Sequence, residues 1–319
     1  MNAPSARPSP AVLRRYLFGT TAAALPVAIA ATVYLGPRVL AMIAVSCACA
    51  LASEAAFAVA RRRRVGFEFI LIGFLLPLTL PLGVPLWMVG AGAAFGTIVG
   101  QGIFGGYGHN PFNAVSVGRC FLTLAYPAGM ATAFLVTRGA ATGAGPVADA
   151  LSGATPLAAA AAGHLVPIRE LLLGGAPGCV GETSRVLLLA GGVALLVTRV
   201  ASLRIVAGAL GTAAALGWLL HLLYPAAFPP VAYQLLSGGL LFGVLFLATD
   251  PAPAPAAPSA RLAYGCLVGL LALVIRGWGG YPEGIAFALL AANAAAPLLD
   301  RAARAFPVGR AARALRSPT

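Results

Sequence analysis

Residues 39–64 read V-L-A-M-I-A-V-S-C-A-C-A-L-A-S-E-A-A-F-A-V-A-R-R-R-R, and this stretch decides the fold class. Its first part, residues 39–60, holds a single charged side chain, Glu54. At about 1.5 Å per residue, a helix of this length crosses a hydrocarbon core about 30 Å thick. Four consecutive arginines, Arg61 to Arg64, then stop the run, as basic residues do at the cytoplasmic end of a membrane helix.

The rest of the chain repeats the pattern. Of 319 residues, 60% are hydrophobic and 9% charged, with a mean hydropathy of +0.91. Charge is too scarce to cover a soluble domain of this size. Ten apolar segments are predicted, at residues 16–35, 39–60, 67–82, 84–104, 114–136, 185–199, 204–223, 232–248, 262–276 and 284–299. The expected class is therefore an all-α integral membrane protein of about ten spans lying in a lipid bilayer. All 21 basic residues are arginine and stand mainly at the ends of these segments, which argues against a nucleic-acid partner.

Arginine placement sets the expected orientation. With the N-terminus inside, the inner face receives Arg7, Arg14, Arg15, Arg61 to Arg64, Arg199, Arg204, Arg261, Arg301, Arg304, Arg310, Arg313 and Arg316, fifteen of the 21. Arg38, Arg138, Arg169, Arg185 and Arg276 fall outside, and Arg119 lies within the fifth span. Both termini are thus expected in the cytoplasm. Arg14-Arg15 before an apolar stretch fits an uncleaved first span better than a twin-arginine export signal, because no soluble passenger follows.

The chain divides into a first half (1–136, spans one to five), an outer loop (137–184) and a second half (185–319, spans six to ten with an Arg-rich inner tail). Five spans per half force opposite orientations, the inverted-repeat arrangement of many transporters. The third span of each half is broken: Pro77 and Pro81 in the first, and in the second Gly238, Gly239 and Gly243, running into Thr249-Asp250-Pro251. Such breaks at matching positions are candidate intramembrane sites. The Pro/Ala segment after Pro251 favours extended geometry and a stiff linker.

Polar motifs sit at the span margins. Gly105-Gly106-Tyr107-Gly108-His109-Asn110-Pro111-Phe112-Asn113 combines glycines suited to positive φ with two amides, and Asn113 suits a helix cap. Asp149-Ala150-Leu151-Ser152-Gly153-Ala154-Thr155-Pro156 places a threonine, biased to extended backbone by the following proline, among small neighbours on the outer loop. Its hydroxyl is open to a large reagent. Before span six, Gly178-Cys179-Val180-Gly181-Glu182-Thr183-Ser184 offers Glu182 and Thr183 to the amides of a helix start. Trp278 and Tyr281 fit an outer aromatic belt.

Glu54 and Glu68 are carboxylates in or near spans, and Glu68 has the Arg61–Arg64 run as an available partner. The five cysteines have no spacing suited to zinc or an iron–sulfur cluster and fit small buried hydrophobes, and the three histidines are dispersed; no metal site is expected. No hydrolytic triad or Walker loop is present.

G-H-N-P-F-N, D-x-x-S-G-A-T, G-x-x-G-E-T-S, A-T-D-P-x-x-A-P and W-G-G-Y-P-E-G, in this order, resemble the RnfD/NqrB family of flavin-carrying membrane subunits. The likeness covers nearly all of the chain after about residue 65 and is nearer to RnfD, especially over residues 174–301. It implies ten helices in two inverted halves. It also implies that Thr155, with Asp149, Ser152, Gly153 and Ala154 completing the motif, carries FMN through a phosphoester made by a separate flavin transferase. The related NqrB subunits also hold riboflavin, which makes Asn110, Asn113, Glu182, Thr183 and Asp250 a candidate second-cofactor or ion region. One departure weakens that second site: the family usually has N-P-F-N-P-A, whereas Asn113 here is followed by Ala114-Val115. The implied role is electron relay within an Rnf-type complex of the bacterial inner membrane that couples ferredoxin and NAD oxidoreduction to ion movement, with the flavinylated loop periplasmic. Such a subunit is expected to carry electrons within the complex and not to catalyse the reaction alone. The competing reading is a transporter or channel of the same scaffold without redox chemistry.

Overall fold

The first helix, α1 (Pro10–Leu35), starts where Ser9 caps the amide of Val12 and Pro10 occupies the first helical turn. In this computed structural model, which describes residues 8–133, 156–161, 164–173, 178–225, 228–279 and 283–305, all regular structure is helical. A single isolated β-bridge, Pro81 with Cys179, is the sole extended pairing among the described residues.

Gly36, at φ 94°, turns the chain into α2 (Arg38–Ala60), and the arginine run ends α2 with Arg62 at φ 52°. Then follow α3 (Phe69–Leu78), α4 (Leu86–Thr97, continued by a π turn, Ile98–Gly102), α5 (Ala114–Ala125) and α6 (Pro127–Thr132). Two short helices, α7 (Pro156–Ala161) and α8 (Ile168–Leu173), lie in the region between the halves. The second half holds α9 (Arg185–Val197), α10 (Leu203–Leu223), α11 (Val231–Leu236), α12 (Leu240–Phe242, continued by a π turn, Gly243–Leu247), α13 (Pro258–Trp278) and α14 (Ile285–Ala305).

Five of these, α1, α2, α10, α13 and α14, are each long and apolar enough to cross a membrane. The other predicted segments form shorter or interrupted helices, for local reasons. Pro77 lies within α3, which ends one residue later. Pro127 drives Tyr126 to φ −134°, ψ 55°, and so separates α5 from α6. Gly238, at φ 67°, breaks the eighth segment between α11 and α12. The segment after Pro251 is not the extended linker expected. Asp250 accepts the amide of Ala252 at 3.0 Å and folds residues 251–253 into a turn, while Asp300 accepts the amides of Ala256 and Ala257 at 3.0 and 2.9 Å.

Helices meet through small residues, which lets backbones approach where no hydrophobic force separates protein from lipid. α10 packs on α13, where a Cβ on Gly208 would lie 2.6 Å from the Leu262 carbonyl. α2 packs on α3 and α4, presenting Cys47 to Gly73 and Cys49 to Gly90. The two cysteines thus occupy different faces as small packing groups. Large apolar side chains point outward instead: Val33, Val59 and Val197 are 79%, 79% and 76% exposed, a surface suited to lipid.

Candidate functional site

A first polar site joins residues from α1, α5, α13 and α14 with those around Asp250. Asn113 stands at the start of α5, and its Oδ1 accepts the Ser116 amide at 3.0 Å, the predicted cap. With that oxygen committed, its Nδ2 donates to Asp250 Oδ2 at 3.1 Å. Tyr107 donates to Asp250 Oδ1 at 3.1 Å. Asn293 of α14 accepts the Asn113 amide at 3.0 Å and donates to Tyr264 of α13 at 2.6 Å. Tyr16 of α1 donates to the Phe246 carbonyl in the second π turn. Asn110 folds its own loop, accepting from the Gly108 amide at 2.9 Å and donating to the Phe112 carbonyl at 2.8 Å. Gly105, Gly106 and Gly108 all take positive φ, which is why that loop is glycine-rich.

Asp250 lies beyond the last helical residue of its segment and is 1% exposed. Burial raises its carboxyl to about 6, against the opposing pull of its hydrogen bonds to Ala252, Tyr107 and Asn113. Beside this network opens a cavity of about 400 Å³ lined by Asn110, Pro111, Pro253, Arg261, Asn293 and Asp300, among others. That volume is within the range of small-molecule sites.

Glu182 and Thr183 belong to a second cluster, set off from the first along α5. Arg119 stands six residues after Asn113, about 9 Å of helical rise. It pairs with Glu283 and lies 3.6–3.7 Å from Cys179 Sγ, while the Cys179 thiol donates to Glu283 Oε1 at 3.1 Å. Burial pushes that thiol well above its ordinary range. Glu182 pairs through Oε2 with Arg185 at 3.1 Å, and Arg185, 1% exposed, also donates to the Leu171 carbonyl at 2.6 Å. The expected helix-capping role falls instead to Ser184, which accepts the Leu187 amide at 3.4 Å, while Thr183 donates to the Val180 carbonyl at 2.7 Å. Arg276 donates to the carbonyls of Gln234 and Ser237 at 2.7 and 3.0 Å.

Glu54 is 1% exposed and takes the Arg63 guanidinium at 2.5 Å, so the arginine run serves Glu54 where Glu68 was the expected partner. Asp149, Ser152, Gly153, Ala154 and Thr155 lie outside the described residues. The residue after them, Pro156, is buried, and its carbonyl accepts the Tyr233 hydroxyl at 2.9 Å.

A family model described as the NQR2, RnfD, RnfE family matches residues 4–309. The chain belongs to this family. One relative, the D component of the ion-translocating oxidoreductase complex of Stutzerimonas stutzeri, is 38% identical over 298 residues, covering 84% of each chain. The B component of the Na(+)-translocating NADH-quinone reductase of Pseudomonas aeruginosa is 39% identical over 259 residues, and that of Yersinia pestis 35% identical over 263 residues. Each of those two matches covers 77% of this chain and 62% of the relative, so the chain spans less than two thirds of the reductase components it resembles. For this NQR2, RnfD, RnfE family member, the residues missed by sequence reasoning are Tyr107, Arg119, Cys179, Glu283 and Asn293. They pair across separations of up to 180 positions, which no local pattern reveals.

Proposed function

We propose that this chain is the membrane subunit of an Rnf-type ion-translocating oxidoreductase complex, with ten spans in two inverted halves, FMN joined to Thr155, and electrons passed to carriers on partner subunits. The observation that carries the reading is the flavinylation-like motif ending at Thr155 in a member of this family, directly before an anchored residue. Tyr233 of α11 holds the Pro156 carbonyl at 2.9 Å, which ties the residue after the motif to α11. The matched packing of α2 on α4 and α10 on α13, the contact between α1 and α9, and the breaks near Pro77 and Gly238 support the two-halves reading.

A flavin accepts one or two electrons, and a protein's part is to bind, orient and tune it. The described residues suit a second, noncovalent flavin of the riboflavin class at the inner cavity. Asn110 and Arg261 offer donors, Asp300 and Asn293 offer acceptors, and prolines supply flat apolar walls. Asn113 and Asp250 stand behind these groups and hold the two halves in register at that point. In this reading Asp250 also serves the ion path.

Expression with a flavin transferase tests the attachment. Denatured protein is expected to keep flavin fluorescence on a gel, and Thr155→Val to lose it while still inserting in the membrane. Persistence of the signal in Thr155→Val would move the bond elsewhere. Absence of signal from the unaltered chain, with a working transferase present, would favour the transporter without redox chemistry.

A further inference from the structure

The cluster around Cys179 contains more chemistry than a pair of ion bridges requires. Ligand atoms of Cys179, Glu182 and Glu283 all lie within 4.8 Å of one another. Glu182, 4% exposed, binds Arg185 through one carboxylate oxygen, and its other oxygen, Oε1, is buried without a hydrogen-bond partner. A buried carboxylate oxygen left this way costs free energy unless something fills the space it faces. Glu182, Cys179, Arg119, Thr79 and Gly239 line a small void of about 10 Å³, room for about one water or one ion.

We propose that Cys179, Glu182 and Glu283 form a binding site for one thiophilic divalent cation, of the zinc or cadmium kind, with the Arg119 guanidinium standing in as the positive group when no ion is bound. Arg119 already contacts both of the strongest candidate ligands, Cys179 and Glu283. Around zinc, ligand atoms at about 2.0–2.3 Å from the metal stand roughly 3.5 Å apart. Cys179 Sγ and Glu283 Oε1, at 3.1 Å, need to part only slightly to reach that spacing. Glu182 closes the remainder by a shift of its free oxygen, which breaks no hydrogen bond. The ion then takes the void, and Glu283, released from Arg119, offers its second oxygen as the fourth donor.

Binding replaces the thiol proton: Cys–SH and M²⁺ give Cys–S–M⁺ and one H⁺, with no change of oxidation state. Arg119 gives up Glu283. Arg185 keeps its place on Glu182 and on the Leu171 carbonyl. Two elements are then tied by one ion, the turn Val180–Glu182 with Cys179 before it and the approach to α14 at Glu283, beside the broken segment at Gly239.

The test uses the full chain purified in detergent, with Cys47, Cys49, Cys120 and Cys266 replaced by alanine, titrated with Cd²⁺. One saturable equivalent is expected, with ultraviolet thiolate-to-cadmium absorption, release of one proton per ion, and displacement by Zn²⁺. Cys179→Ser should abolish the absorption, and Glu283→Gln should weaken binding by more than about tenfold. Arg119→Gln should tighten binding, because the competing cation is gone. If the four-alanine variant does not fold, the difference between the unaltered chain and Cys179→Ser carries the same comparison. Equal Cd²⁺ binding by the unaltered chain and Cys179→Ser, or no saturable binding by either the unaltered chain or Arg119→Gln, would overturn the proposal and leave the void to water.

Discussion

Asn113 shows how much one side chain can be asked to do. Its oxygen is spent on the cap of α5, so its amide nitrogen is the group that meets Asp250, at 3.1 Å. Asp250→Asn, if it points its own amide at that nitrogen, sets donor against donor, and turning Asn113 over to relieve this would forfeit the cap. A loss of about 1–3 kcal/mol is expected, seen as a lower melting temperature in detergent. Asn113→Asp alone brings two carboxylates together and should also destabilise. The double exchange, Asn113→Asp with Asp250→Asn, restores a donor facing an acceptor and keeps the cap, so it should recover most of the loss; additive losses would show that the pair does not interact as described. Arg185 makes a harsher test. Arg185→Met removes the cation that Glu182 pairs with at 3.1 Å, and removing one partner of a buried pair costs about 3–5 kcal/mol. Melting within about 1 kcal/mol of the unaltered chain would mean that the Glu182–Arg185 pair does not bear on stability as described. Asn113 was legible in the sequence because a cap is a local event. Cys179 was not: its thiol looks like one more small apolar group until Arg119 and Glu283, 60 and 104 positions away, are folded against it.

Helices in this chain owe their closeness to what their sequences leave out. Gly208 sits where any Cβ would press within 2.6 Å of the Leu262 carbonyl, a backbone atom that cannot swing aside. Gly211, one turn on along the same helix, has nothing within 4 Å of its would-be Cβ. Gly208→Val should therefore force α10 from α13 and lower thermal stability and yield of folded protein, whereas Gly211→Ala should be near neutral. Similar behaviour of the two would mean that α10 does not pack on α13 through this face. Apolar runs were legible because twenty apolar residues have few soluble explanations. Their interruptions were legible in part: Pro77 and the glycines at 238 and 239 announced breaks, but the turn after Pro251 did not. Its proline and alanine content favours an extended path, and Asp250 and Asp300 override that tendency by taking three amides from the segment.

Across the molecule as a whole, the arginine distribution, fifteen against five with one inside a span, argues for both termini in the cytoplasm and Thr155 outside. Cysteines placed singly at Ser5 and Ala144 in a cysteine-free chain, labelled in intact cells with an impermeant reagent, are expected to react only at Ala144→Cys. Labelling of Ser5→Cys from outside would reverse the orientation. The orientation has a consequence for electron flow. Ferredoxin and NAD(H), the redox couple of the proposed Rnf-type complex, are cytoplasmic, while Thr155 in this orientation would lie across about 30 Å of hydrocarbon. Under the proposed attachment, one flavin at Thr155 would not bridge that distance, and the proposed path therefore calls for carriers on partner subunits and a second acceptor nearer the inner face. The cavity bounded by Asn110, Arg261 and Asp300 is suited to hold it. In membranes containing the whole complex, Thr155→Val should stop ferredoxin:NAD electron transfer and the coupled ion gradient together. Asp250→Asn, which leaves the outer attachment intact, should keep the in-gel flavin signal and lose coupling or assembly. Full activity and pumping in Thr155→Val membranes that had lost their flavin would remove this chain from the electron path.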